Sequence, residues 1–358
     1  MLPSASLKFL EEFLSSSGPS GFEFAQAAVF RNYLSRFAHE IRTDVLGNTI
    51  ARLNPDAEFT FMLAGHYDEI GFQIVNVMEE GLLSFRAVGG IDPLTLPGIH
   101  VEILTEKGKV PGVIGRKPIH LQTPDERKAL PEIKDMWIDI GAESADEAKG
   151  KVGIGDPVAF QSNFKLLGKK NRILSKGLDD KIGAFVAAEA FRILSARKIK
   201  VGLACVGTVQ EELGLRGAQT GAFGVHPNAA IAIDVGFATE VPGISANQFG
   251  TLVMGKGAGL SRNADNNPPL LARIMKLAGK KKIPYQLETG HRATGGTDTA
   301  AIQMTRGGVA TALISIPNRY MHTPVEICDL RDVESGINLI VETVASLKGN
   351  ETFIPGID

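Results

Sequence analysis

The sequence predicts an α/β fold: a largely parallel sheet covered by helices on both faces, interrupted by a small inserted β-barrel or sandwich. Three observations predict it. Apolar strand-like runs alternate with helical segments toward both ends of the chain. The middle is a series of short alternating runs broken by Gly and Pro. The 358 residues suffice for one large domain plus a smaller one.

The first stretch reads as helices. Ser20 and Glu23 in PSGFEFAQAAVFRNYLSRF have capping-box spacing, and Ala25, Ala28, Val29, Phe30, Phe37 and Ala38 give an approximate helical stripe. IRTDVLGNTIARLN reads as two strands turning at Gly47-Asn48, and EFTFMLAGHYDEIGFQIVNV as an apolar strand with polar residues at its end. From about Gly71 to Gln161 come FQIVNV, LLSFRAV, HVEILT, KVPGVIG, MWIDIG and DPVAFQS, interrupted by the charged loop QTPDERKALPEIKD. After about Lys165 the alternation returns. DDKIGAFVAAEAFRILSAR, PPLLARIMKLAG and DVESGINLIVETVASLK read as helices, and KVGLACVGTVQ, AAIAIDVG and VATALISIP as apolar strands. Residues 1–70 and 165–358 are thus expected to form one discontinuous α/β domain, with 71–164 as the insert.

Composition excludes several classes. Lys+Arg is 38 and Asp+Glu 40, a net charge of −2, which gives no electrostatic reason to expect nucleic acid or an anionic membrane as partner. Two cysteines, Cys205 and Cys328, rule out a disulfide scaffold or a Cys-rich zinc module. The first residues carry acids where a signal peptide would be apolar, and no run reaches the roughly 18–20 apolar residues that span a bilayer. A cytoplasmic, soluble protein is the expectation. Glycine is abundant at 40 residues, and many glycines flank the polar clusters described next.

In α/β sheets, ligands sit beyond the carboxyl ends of the strands. Polar clusters fall at such ends: Gly65-His66-Tyr67-Asp68, Leu178-Asp179-Asp180-Lys181, Gln210-Glu211-Glu212, Ile233-Asp234-Val235 and Tyr320-Met321-His322-Thr323. Two histidines with carboxylates and no cysteine form the ligand set of a catalytic zinc, cobalt or manganese site. His66 and Asp68, two apart on an extended strand, share a face, so the acid can hold the second imidazole nitrogen. Asp179-Asp180 opens a helix; alone it reads as an N-cap, but a carboxylate there can also bridge two ions. In Glu211-Glu212, one carboxylate can bind metal while the other takes a proton from water. Asp234 follows six apolar residues, a costly place for an unpaired acid. His322 alone reads as a structural hydrogen-bonder.

The ordered set SGPSGFE, GHYDEIGF, GRKPIHL, GLDDKIG, QEELGLRGA, IDVG, GGTDTAAIQ and NRYMHTPVE resembles the TET-type aminopeptidases, the glutamyl-aminopeptidase branch of the family-42 co-catalytic metallopeptidases. The resemblance spans nearly the whole chain. It implies a phosphorylase/hydrolase-like mixed sheet flanked by helices, with an inserted β-barrel-like dimerisation domain and dimers that assemble into a tetrahedral dodecamer. It also implies two divalent ions per subunit, zinc or cobalt first and manganese also accommodated. His66, Asp179, Glu212, Asp234 and His322 match the metal ligands, with Asp179 bridging. Glu211 matches the general base and Asp68 the acid supporting His66. Leu213, Asn318, Thr323 and the loop GKGAGLSRNADNN depart from the family pattern, yet no ligand is lost.

The expected function is therefore metal-dependent hydrolysis of N-terminal residues from short peptides through a metal-activated water. A carboxypeptidase or N-acyl-amino-acid deacylase is the alternative, although such relatives carry a different lid domain. A glucanase would need two carboxylates flanking a sugar rather than His-containing clusters. A non-catalytic assembly protein would not need a complete site. Phe237, Arg262, Asn263, His291 and Arg292 are candidates for the wall of the substrate pocket.

Overall fold

The apolar runs at both ends of the chain meet in one sheet, because strands buried on both faces need neighbours on both edges. The computed structural model describes residues 2–169, 171–290 and 296–356. The N-terminal part holds α1 (Ser4–Ser15), α2 (Phe24–Leu34), β1 (Glu40–Thr43), β2 (Thr49–Leu53) and β3 (Thr60–His66). Next come β4 (Gly71–Val77), β5 (Leu83–Val88), β6 (His100–Thr105), β7 (Gly108–Arg116), α3 (Pro124–Lys128), β8 (Met136–Asp139), α4 (Ala145–Lys151) and β9 (Pro157–Phe160). The third part runs through β10 (Lys165–Leu167), β11 (Arg172–Ser175), α5 (Leu178–Ser195), β12 (Gly202–Thr208), α6 (Arg216–Val225) and β13 (Ala229–Phe237). It closes with α7 (Ala246–Phe249), β14 (Ala258–Ser261), α8 (Pro268–Lys281), β15 (Tyr285–Glu288), α9 (Asp298–Gln303), β16 (Ala310–Arg319), β17 (Glu326–Asp329) and α10 (Leu330–Ala345).

The main sheet runs β1-β2-β12-β3-β13-β16-β17-β11-β10, with β14 and β15 branching from β16. Its centre, β12-β3-β13-β16, is parallel, as is the branching pair β14-β15; β2 on one side and β17, β11 and β10 on the other run antiparallel. The sheet is thus mixed, as the family resemblance implies, and not the largely parallel sheet that the alternation of runs suggests, because the short edge strands turn back on their neighbours. Side-chain alternation separates two cores. Phe61, Leu63, Leu203, Cys205, Ile231 and Ile233 pack with α1, α5, α8 and α10, while Met62, Ala64, Ala204, Val206, Ala230 and Ala232 face α6 and α9.

The six runs of the middle stretch close into a barrel in the order β4-β5-β8-β7-β6-β9. Its own core holds Phe72, Ile74, Phe85, Val101, Ile103, Ile138, Val158 and Phe160. Closure leaves no open sheet edge.

Three local expectations are corrected. Glu23 does not close a capping box with Ser20: helix α2 starts after it, and its carboxylate accepts the amides of Gly21 at 2.7 Å and Gln210 at 3.1 Å. Of the predicted stripe only Phe30 is buried, and Gln26, Tyr33 and Leu34 complete the buried face of α2. The loop GKGAGLSRNADNN contains strand β14, which pairs with β16.

Candidate metal centre

Strand register brings the predicted residues to one place. Thr208 pairs with His66 and Ala232 with Ala64, so Asp234 comes level with His66, and Glu211 lies just past the end of β12. Glycine at position 65 lets α5 approach β3: a Cβ there would lie 2.5 Å from the Ala184 nitrogen. The first turn of α5, with Asp179 and Asp180 in non-helical conformation and a cis peptide between them, is thereby carried to His66.

His66 Nε2 lies 3.2 Å from Asp179 Oδ1, 3.6 Å from Glu211 Oε2 and 3.9 Å from Asp234 Oδ1. Its Nδ1 faces Asp68, at 3.2 Å from the main-chain oxygen and 3.5 Å from Oδ1. The Asp68 carboxylate also accepts the amides of Glu211 at 3.0 Å and Glu212 at 3.1 Å. On the other side, His322 Nε2 lies 3.3 Å from Asp179 Oδ2 and 3.4 Å from Glu212 Oε1. Asp179 therefore offers one oxygen to each imidazole. Two donor clusters result, His66/Asp180/Asp234 and Asp179/Glu212/His322, each with its ligand atoms within 4.8 Å of one another.

All the expected site residues thus gather. Asp180 joins them without having been singled out as a ligand, since the resemblance assigns the role to the first acid of the pair. Its Oδ1 accepts the Gly183 amide at 3.0 Å, while Oδ2 is buried without a partner among the described residues. Glu326 was also missed: Oε2 accepts the Asp179 amide at 2.9 Å and Oε1 the His322 amide at 3.1 Å. Asp298, at the start of α9, accepts the Thr208 hydroxyl at 2.6 Å. Of the proposed wall, Phe237 and Arg262 are exposed. The Asn263 side-chain oxygen accepts from Asp265 and Asn266 within its own turn. His291 and Arg292 lie outside the described residues.

The charge state fits cations. Burial pushes the Asp234, Asp180 and Glu211 carboxyls well up and Glu212 to about 7, with neighbouring acids adding to each shift. His322 is raised to about 9, first by its bond to Asp179. His66 is raised despite burial, by Glu211, Asp179 and Asp68. No Lys or Arg pairs with these acids among the described residues. Gathered carboxylates, imidazoles and an orphaned buried oxygen form a donor set for divalent ions of the zinc, cobalt or manganese type.

Comparison with known proteins agrees with this chemistry. Residues 47–339 match the family model described as M42 glutamyl aminopeptidase. The chain is 35% identical over 348 residues to the lysyl aminopeptidase of Pyrococcus furiosus, covering 95% of this chain and 97% of that protein. It superposes on the TET aminopeptidase of a marine sediment Thaumarchaeota archaeon with a TM-score of 0.93 at 36% identity, covering 98% and 99% of the two chains. For the Pyrococcus horikoshii TET1 peptidase, described as able to assemble into a tetrahedron or a large octahedral shell, the TM-score is 0.85 at 33% identity, covering 96% and 100%. The fold, the site and these matches establish that the chain is a peptidase and belongs to the M42 glutamyl aminopeptidase family.

Proposed function

We propose that this protein releases N-terminal residues from short peptides at a centre whose side chains would hold two divalent ions, with Asp179 common to both. The observation that carries the reading is the split of the Asp179 carboxylate, 3.2 Å from His66 through one oxygen and 3.3 Å from His322 through the other. Glu212 and His322 would complete one site, His66 and Asp234 the other, with Asp180 adding negative charge beside the second. Zinc or cobalt suits these N/O donors, and manganese is accommodated. When bound, such ions supply Lewis-acid polarisation of the scissile carbonyl and acidify a water.

The chain's own residues then move the protons. Glu211 accepts the proton of the attacking water and returns it to the leaving amine. Asp68 fixes the tautomer of His66 and holds the main chain of Glu211 and Glu212. We further propose that 1–70 and 165–358 form the catalytic domain, that 71–164 serves dimerisation, and that the protein works in the cytoplasm as a homo-oligomer, dimers building a tetrahedral dodecamer. Among the described residues no helix is long and apolar enough to cross a membrane.

Glu211→Gln tests the role of the base. The variant is expected to keep its metal content while kcat on an aminoacyl-chromophore substrate falls about 10²–10⁴-fold. Turnover near that of the wild type would exclude Glu211 as the base.

A further inference from the structure

We infer that Glu326 is a positioning residue of the metal centre, whose buried carboxylate locks the main chains of Asp179 and His322 at the separation at which their side chains can share one cation. The inference rests on the two-ion reading above. Glu326 opens β17 and is 2% exposed. One oxygen takes the Asp179 amide at 2.9 Å and the other the His322 amide at 3.1 Å. Both oxygens thus receive N–H donors, which suits a carboxylate and gives a protonated oxygen no acceptor to face. No Lys or Arg pairs with Glu326 among the described residues, and the contacts of its two oxygens are the main-chain N–H groups of Asp179 and His322.

The His322 end needs such a hold. His322 has φ 62° and Tyr320 φ 66°, both in the left-handed region, where a non-glycine residue is strained and persists only when its surroundings enforce it. Glu326 enforces it through the backbone, which leaves Asp179 Oδ2 and His322 Nε2 facing each other at 3.3 Å. The pattern repeats on the other side of the centre, where Asp68 takes the amides of Glu211 and Glu212. In both cases one buried carboxylate fixes two ligand-bearing or catalytic main-chain positions.

An ordinary turn-stabilising acid would affect folding alone, whereas a positioning residue affects one ion more than the other. Metal-free wild-type and Glu326→Gln proteins are titrated with Co²⁺, followed by d–d absorption and calorimetry, and their metal-free melting temperatures are compared. The glutamine amide must turn its NH₂ toward one of the two N–H donors, so one hold is lost. We expect two ions per chain in the wild type; in the variant the ion held by Asp179, Glu212 and His322 loses about 10–100-fold in affinity, and the second ion, which shares only Asp179 with it, loses clearly less. Should Glu326→Gln fold poorly, Glu326→Asp, which keeps the charge but reaches only one amide, is expected to show the same selective loss. Two unchanged affinities, or equal loss of both with or without a lower metal-free melting temperature, would overturn the inference alone. A wild-type chain that binds fewer than two ions would overturn the two-ion reading as well.

Discussion

The Asp68 carboxylate accepts the amide of Glu211 through one oxygen and that of Glu212 through the other, while its main-chain oxygen lies 3.2 Å from His66 Nδ1. Glu23 grips the preceding amide, that of Gln210, whose φ of 54° is also left-handed. Burial, with Asp68 adding, raises the Glu23 carboxyl to about 7. Three successive amides of the catalytic loop are therefore anchored on buried acids from elsewhere in the chain. Asp68→Asn would turn an NH₂ toward one of those amides and weaken the hold on Glu211. We predict a loss of about 10–100-fold in metal affinity or kcat, read by metal titration and steady-state kinetics. Unchanged values would mean that the loop keeps its shape without Asp68. The clusters bearing these side chains were legible in the sequence because each follows an apolar strand. The grips themselves were not, since an amide accepted by a distant carboxylate leaves no local pattern; Glu326, four residues past His322, shows this most plainly.

At the scale of elements, α5 reaches the centre because a buried ionic knot pins its start. Lys176 Nζ lies 2.6 Å and 2.8 Å from the two Glu69 oxygens, and Lys181 Nζ 2.9 Å from Oε2 and 2.9 Å from the Ser16 carbonyl. The Gly18 amide adds 3.0 Å to Glu69 Oε1, so the knot joins the segment after α1, the β3–β4 link and α5. Burial opposes the Glu69 charge, but the two ammonium groups hold its carboxyl down at about 2, from an ordinary 4.5. A depressed carboxyl stabilises the fold fully above about pH 4.5, and the contribution fades as pH falls through that value toward 2. Burial pulls Lys176 to about 8 in spite of Glu69, so Lys176 stays protonated throughout this window. The shift corresponds to about 3 kcal/mol. Metal-free wild type should therefore lose melting temperature as pH falls from about 4.5 toward 2. Glu69→Gln should be less stable at pH 7, by about 3–5 kcal/mol, and flatter in acid. Parallel acid profiles would show that the knot does not carry the acid sensitivity. The sequence hid this knot because Glu69 lies more than a hundred residues from Lys176 and Lys181, and no local pattern pairs them. It also hid β14, a four-residue strand defined by its pairing with β15 and β16.

For the whole molecule, the order of the chain separates what the fold unites. His66 and Asp68 precede the barrel, while Asp179, Glu211, Glu212, Asp234 and His322 follow it, and the parallel register of β12, β3 and β13 brings them level. The discontinuity was legible because texture changes twice along the chain. The β1–β2 edge was legible from its turn at Gly47-Asn48, whereas the antiparallel β10, β11 and β17 were not, because such short strands carry the same composition as loops. The central claim is that this united centre binds two ions and cleaves after a free N-terminal residue. Its most direct test is a chelated, metal-free preparation titrated with single divalent metals and assayed on matched peptides with free and acetylated N-termini. The account predicts that activity appears on the free peptides as two ions per chain are bound, that chelation abolishes it, and that the acetylated peptides stay intact. Activity that survives chelation, or equal cleavage of the acetylated peptides, would contradict it.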